Sequence, residues 1–199
     1  NSQAWIAAKW GAPDRVKAGV TTRAGGNSLP PYDALNLATH VGDDPATVTR
    51  NRSYVSGLLQ LPSEPIWLHQ IHGNRIVCAE KLENNTADGT YTDQTGLVCT
   101  VMTADCVPVL LCNATASRVA AVHVGWKGFC ADILENALEL YFNEWADMFV
   151  WIGPHIHQRH YEVGNDVRDD CLAKNHELAG AFLPNSRGRW QADLETMLC

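Results

Sequence analysis

The stretch from Leu97 to Lys127, LVCTVMTADCVPVLLCNATASRVAAVHVGWK, constrains the fold more than any other part of the chain. Residues 97–102, 108–112 and 119–124 are each rich in β-branched or apolar side chains and bounded by Asp, Asn, Ser or Gly, which predicts three short β-strands in succession. Asp105 and Cys106 fall in the break before the second strand, and His123 falls near the end of the third, just ahead of Gly125. Ligand-type side chains at strand ends can converge without disturbing a core, as sites on rigid scaffolds do.

Around this stretch the periodicity changes several times. Ile133, Leu134, Ala137, Leu138, Tyr141 and Trp145 recur at three and four residues and predict an amphipathic helix with Glu135 and Glu139 on its polar side. Residues 148–152 predict another strand, ending at Gly153 and Pro154. Upstream, residues 16–22 suit a short strand that runs into a loop with Arg23, Gly25 and Gly26 and continues through Pro30 and Pro31. Asp43 and Asp44 ahead of Pro45 mark a helix start, with Val48, Val55, Leu58 and Leu59 on its apolar side. IWLHQIHGNRIVCAE reads as two extended segments split at His72, Gly73 and Asn74, whereas the polar residues 84–93, with Asp88-Gly89 as a turn signal, read as a surface loop. Residues 166–176 predict a short helix with Cys171 and Leu172 as its apolar contacts. A basic turn follows at Arg187 to Trp190, then a helix start at 193–198.

Length and composition bound the function. A chain of 199 residues with 46% hydrophobic residues is most economically one domain. Its 22 acidic against 15 basic residues, a net charge of -7, give no electrostatic case for nucleic acid or an anionic membrane. No apolar run reaches the roughly 18 residues of a membrane span, and NSQAWIAAKW lacks the build of a signal peptide. Seven cysteines, an odd number without a CxxC pair, favour a reduced, cytoplasmic setting. The sequons at Asn51, Asn84 and Asn113 carry no weight without secretion.

His72, Cys106 and His123 together offer one sulfur and two nitrogens, a set suited to zinc that leaves one tetrahedral position for water or substrate. His72 is preferred to His69 because it lies in a break beside Gly73, where an imidazole has room to approach a partner. Two other readings use the same residues. A Cys106 thiolate can act as nucleophile with His123 as base and Asp105 or another polar residue as orienter, and Cys with His also suits a single copper. A binding protein with a structural zinc is the competing class. His155, His157 and His160, three histidines within six residues, fit either a second metal site or a loop lining a pocket.

The motifs TTRAGG (21–26), YDALNLATHVGDDPATVTRNR (32–52), HQIHG (69–73), ADCVPVLL (104–111), AAVHVGWKG (120–128), IGPHI and YEVG, in this order, resemble the YfiH-like family. This is the laccase-domain or polyphenol oxidoreductase family, also described as purine nucleoside phosphorylase. The resemblance implies a single mixed α/β domain over residues 1–199, with layered mixed β-sheets flanked by helices; the C-terminal segment that family members usually carry has no match within these residues. It implies one pocket with a zinc held by His72, Cys106 and His123. Implied activities are phosphorolysis of adenosine, inosine, guanosine and methylthioadenosine, with deamination of adenosine. Copper-dependent oxidation of phenols, a hydrolase built on Cys and His, and a non-catalytic zinc protein are the alternatives. Phosphorolysis needs groups that hold an anion, for which the candidates are Arg23 with Gly25 and Gly26, and Lys127. Lys127 stands where the family usually has arginine, a point charge in place of a bidentate fork. His155 stands where a cysteine is common and is a candidate wall of the same substrate site.

Overall fold

The computed structural model describes residues 4–198. The chain begins with β1 (Trp5–Ala7) and β2 (Gly19–Thr21), an antiparallel pair. It then runs through a long loop into helix α1 (Pro45–Leu59). The helix starts as the sequence predicts: the Asp44 carboxylate accepts from the Thr47 amide at 2.8 Å, and Pro45 occupies the first turn.

A five-stranded sheet follows. It is built from β3 (Ile76–Cys78), β4 (Gly89–Thr92), β5 (Val107–Asn113), β6 (Val119–Val124) and, after helices α2 (Trp126–Cys130) and α3 (Ile133–Glu139), β7 (Met148–Ile152). The spatial order is β3-β4-β6-β5-β7; β3 and β4 are parallel and the other pairs antiparallel. The rest of the chain forms β8 (Glu162–Val163), α4 (Asn165–Lys174), β9 (Phe182–Pro184), β10 (Trp190–Ala192) and α5 (Leu194–Leu198). Here β10 lies between β8 and β9 in a small antiparallel sheet. These are layered mixed sheets flanked by helices.

The two-residue period of a strand decides which face of the main sheet is core. Val107, Val109 and Leu111 of β5 and Ala120, Val122 and Val124 of β6 point one way, onto Phe129, Ile133, Ala137 and Tyr141. Val167 and Cys171 of α4, with Leu194 and Met197 of α5, extend the same core. The alternate positions, including Pro108 and His123, face the other side.

Three expectations need correction. Residues 84–93 are a surface loop only in part: Glu83 to Asn85 are exposed, but Ala87 to Thr90 are buried and Gly89–Thr92 is β4, an inner strand. Thr92 tolerates burial because Glu80 accepts from its hydroxyl at 2.7 Å. Residues 97–102 form no regular strand. Val98 accepts from the Ile66 amide, Ile66 and Cys99 make an isolated bridge, and both main-chain groups of Met102 bond to the Gln70 side chain. The helix predicted to run past Tyr141 stops at Glu139, leaving Trp145 exposed at the start of a separate 3-10 turn (Trp145–Asp147), its indole donating to the Leu138 carbonyl. Arg52 of α1 is half-buried, stacked 3.9 Å from the Trp67 ring centroid.

Candidate metal centre

Strand register brings the donors together. Pro108 of β5 lies opposite His123 of β6, and Cys106 is two residues before Pro108, so Cys106 and His123 come from the same end and face of the pair. On the other side of β6, Gly89 lies opposite Val122, and the His123 amide donates to the Asp88 carbonyl at 2.7 Å. Parallel pairing of β3 with β4 carries the start of β3 to this end, and the His72 turn immediately precedes it. Strand β7 ends here too: the Gly153 amide donates to Pro108 and the Ile156 amide to Asp105. Five segments that are remote in sequence therefore meet at one end of the sheet.

One ligand atom each from His72, Cys106 and His123 lies within 4.8 Å of the others. The three form a graded wall, with His123 buried, Cys106 half-buried and His72 exposed. The two imidazoles meet edge to face, their centroids 4.7 Å apart. Gly125 lets His72 and Cys106 close up, since a Cβ there would stand 2.9 Å from His72 Cδ2 and 3.1 Å from Cys106 Sγ.

Electrostatics suit a cation. Loss of hydration lowers the His72 pKa; His123 and Lys127 add to this and Asp88 and Asp105 oppose it, which favours a neutral imidazole with a lone pair to give. Burial pushes the Cys106 thiol up to about 11, with the Asp105 and Asp88 carboxylates adding to it, so at neutral pH the thiol keeps its proton until a cation displaces it. One sulfur and two imidazoles form a potential metal-binding cluster, and this donor chemistry suits zinc or copper.

Asp88 was missed as a site residue, because Asp88-Gly89 reads as a turn. It is fully buried. Its Oδ1 accepts from His123 Nδ1 at 2.8 Å and from the His72 amide at 2.9 Å, and its Oδ2 accepts from the Gly73 and Ile71 amides at 2.7 and 3.2 Å. Burial alone would raise its pKa; the bonds from His123 and then from the three amides outweigh that and hold it below the ordinary value. Alternation of Thr90 and Thr92 was the available signal that this segment is extended.

The other candidates divide. Lys127 is exposed at the start of α2, close enough for its charge to lower the His72 pKa, with Nζ 5.6 Å from the Trp126 ring centroid. His155 donates from Nδ1 to the Gly153 carbonyl at 2.9 Å, in the segment that bonds to Asp105. His157 and His160 are exposed: His157 Nδ1 accepts from the Arg159 amide and His160 Nε2 from Arg159 Nε, so they pair locally and join no three-donor group found among the described residues. Arg23 grips Asp33, its Nη2 2.7 Å from a carboxylate oxygen and its Nε bonded to the Asp33 carbonyl. A Cβ on Gly25 would meet Tyr54, and one on Gly26 would meet Ala34 and Leu35. This loop is thus built onto α1 and residues 33–35.

A mixed α/β fold that gathers two histidines and a cysteine at one end of its main sheet is that of a candidate single-metal protein. The chain belongs to the YfiH-like family: residues 17–199 match the family model described as multi-copper polyphenol oxidoreductase laccase. It is 43% identical over 192 residues to purine nucleoside phosphorylase PA4543 of Pseudomonas aeruginosa, covering 96% of this chain and 78% of that protein. It is 41% identical over 191 residues to purine nucleoside phosphorylase YfiH of Escherichia coli, covering 95% and 78%. The crystal structure of Neisseria meningitidis protein NMB0706 superposes with a TM-score of 0.92 at 39% identity, covering 98% of this chain and 81% of that one. No helix among the described residues is long and apolar enough to cross a membrane.

Proposed function

We propose that the protein is a zinc-dependent purine nucleoside phosphorylase, acting on adenosine, inosine, guanosine and methylthioadenosine, with accompanying adenosine deaminase activity. The observation that carries this reading is the convergence of His72, Cys106 and His123 within 4.8 Å, in a chain whose relatives bear the phosphorylase name. His72, Cys106 and His123 would hold the ion, which would supply Lewis-acid activation of an oxygen at the site.

The chain's own residues have distinct parts in this proposal. Asp88 takes the Nδ1 proton of His123 in a hydrogen bond and leaves Nε2 as the free ring nitrogen. Lys127, exposed beside His72, holds the phosphate as a point charge while a phosphate oxygen bonds to C1′ of the ribose, the bond from C1′ to the purine breaks, and the leaving purine nitrogen takes up the proton that hydrogen phosphate gives up. His155, whose Nδ1 is committed to Gly153, offers Nε2 to the nucleoside. Arg23, with Gly25 and Gly26, contributes a second anion contact by exchanging its exposed bond with Asp33 for one with phosphate.

The test is incubation of the zinc-loaded chain with adenosine, with and without phosphate. Adenine and ribose 1-phosphate appear only with phosphate, and inosine appears in both. Absence of all three products at high enzyme concentration overturns the proposal. A copper-dependent phenol oxidase is the second reading, favoured by the wording of the family model. It requires oxygen consumption proportional to bound copper, and turnover of nucleosides but not phenols by zinc-only protein excludes it. Against several coppers stands the donor inventory, since a single three-donor group converges among the described residues.

A further inference from the structure

Asp88 is an unusual buried carboxylate, because four N–H groups from two different segments share it. On one side is a ring nitrogen, His123 Nδ1; on the other are the consecutive amides of Ile71, His72 and Gly73. An ionised carboxylate offers about four lone-pair positions and no proton, so these donors use its whole accepting capacity. Three successive amides can aim at one acceptor only if the chain curls around it, and His72 does so at φ +59°, a left-handed conformation uncommon for a residue other than glycine. Asp88 is itself anchored at the main chain: its amide donates to Arg75 and its carbonyl accepts from His123.

We propose that Asp88 is the positioning residue of the donor set, orienting both imidazoles at once. Through Oδ1 it holds His123 in the tautomer that carries its proton on Nδ1, and through both oxygens it folds the 71–73 turn that presents the His72 ring. The inference rests on the metal-centre reading for its consequence, but not for its geometry. Asparagine cannot replace it: an amide group has two donors of its own, so it can serve either His123 or the paired amides of Ile71 and Gly73, and the other side meets a donor facing a donor. Glutamate carries an extra methylene into a slot with no exposure. Loss of such an outer partner characteristically lowers metal affinity about 10- to 100-fold.

The test uses Zn2+ titrated into the full chain against a chromophoric chelator, comparing wild type with Asp88→Asn, Asp88→Ala and a core control, Val109→Ala, which destabilises the sheet on its other face. The expected result is affinity lowered about 10- to 100-fold in both Asp88 variants and changed less than about twofold in the control. Equal weakening in Val109→Ala assigns the effect to general stability and overturns the proposal, as does unchanged affinity in the Asp88 variants. A second readout needs no metal and no variant. In long-range imidazole proton–nitrogen spectra of metal-free protein at mildly alkaline pH, His123 should be a single tautomer protonated on Nδ1, and Asp88→Ala should give a mixture. A wild-type His123 protonated on Nε2, or already mixed, overturns the proposal even if no Asp88 variant folds. Failure of wild type to bind zinc while His123 keeps its Asp88-dependent tautomer removes the metal reading and leaves the positioning role standing.

Discussion

Gly125 stands so close to Cys106 that a Cβ added to it would lie 3.1 Å from the Cys106 sulfur, and 2.9 Å from Cδ2 of His72. Its backbone, φ -89° and ψ 165°, is one that any residue adopts, so the requirement for glycine here is one of space. Gly125→Ala should therefore fold normally but push two of the three donors apart. Elemental analysis after dialysis against trace zinc should find metal occupancy lowered in line with an affinity loss of about tenfold or more. Full occupancy with unchanged stability would mean that the ring and thiol move aside freely.

Cys106 gives a chemical test of whether its thiol is a ligand or an activated nucleophile. With its pKa pushed up to about 11 by burial and by Asp105 and Asp88, the metal-free thiol should alkylate slowly at neutral pH. Site-resolved mass spectrometry with iodoacetamide should show the rate rising about tenfold per pH unit until about 11, and zinc should protect the residue. A plateau reached below neutral pH would point instead to a thiolate activated by a neighbouring imidazole.

Much of this arrangement was legible in the residues. Strands β5, β6 and β7 are apolar, short and bounded by breakers, so their periodicity had no rival, and the donors His123 and Cys106 were recognisable as strand-end residues. His72 was distinguished from His69 by Gly73, and the structure puts His69 outside the donor group. What escaped was the polar part of the sheet. Strand β4 and the residue just before it bury Asp88, Thr90 and Thr92, and a buried carboxylate looks like a surface residue until its partners from the 71–73 turn and β6 are known. The opposite error occurred at 97–102, where β-branched residues sit in an extended segment without a regular strand neighbour. Hydrophobic periodicity reports burial, and both exceptions are places where specific hydrogen bonds decided the conformation.

Glu80 is a carboxylate through which stability depends on acid. Burial would raise its pKa, but bonds from the Thr92 hydroxyl, the Cys78 thiol and the Asp93 amide together hold it down to about 2, from the usual 4.5. A depressed folded-state pKa means that the stabilisation is complete above about pH 4.5 and is lost as pH falls towards about 2. Allowing for solvent screening, Glu80→Gln should cost about 1–2 kcal/mol at neutral pH and flatten the decline over that window. Urea unfolding at pH 7, 4 and 3 measures both effects; parallel losses for wild type and variant would assign the acid sensitivity elsewhere.

Gln70 ties the histidine turn to the approach of the Cys106 loop. Its Nε2 donates to the Met102 carbonyl at 2.8 Å, and its Oε1 accepts from the Met102 amide at 2.7 Å, a pair of bonds that imitates a strand partner for a segment that has none at that point. Gln70→Leu preserves apolar bulk but leaves both main-chain groups of a half-buried residue without these bonds, a loss of about 1–3 kcal/mol. Gln70→Glu keeps the acceptor and loses the donor, setting a carboxylate against the Met102 carbonyl, so it should also destabilise. Because Gln70 lies two residues before His72 and Met102 four before Cys106, loosening this tie should reach the donor set as well as the fold. The expected outcome for Gln70→Leu is a lower urea midpoint at unchanged slope, together with zinc affinity reduced several-fold. A midpoint shift with wild-type affinity would confine the tie to stability and leave the alignment of His72 with Cys106 to Asp88 and Gly125.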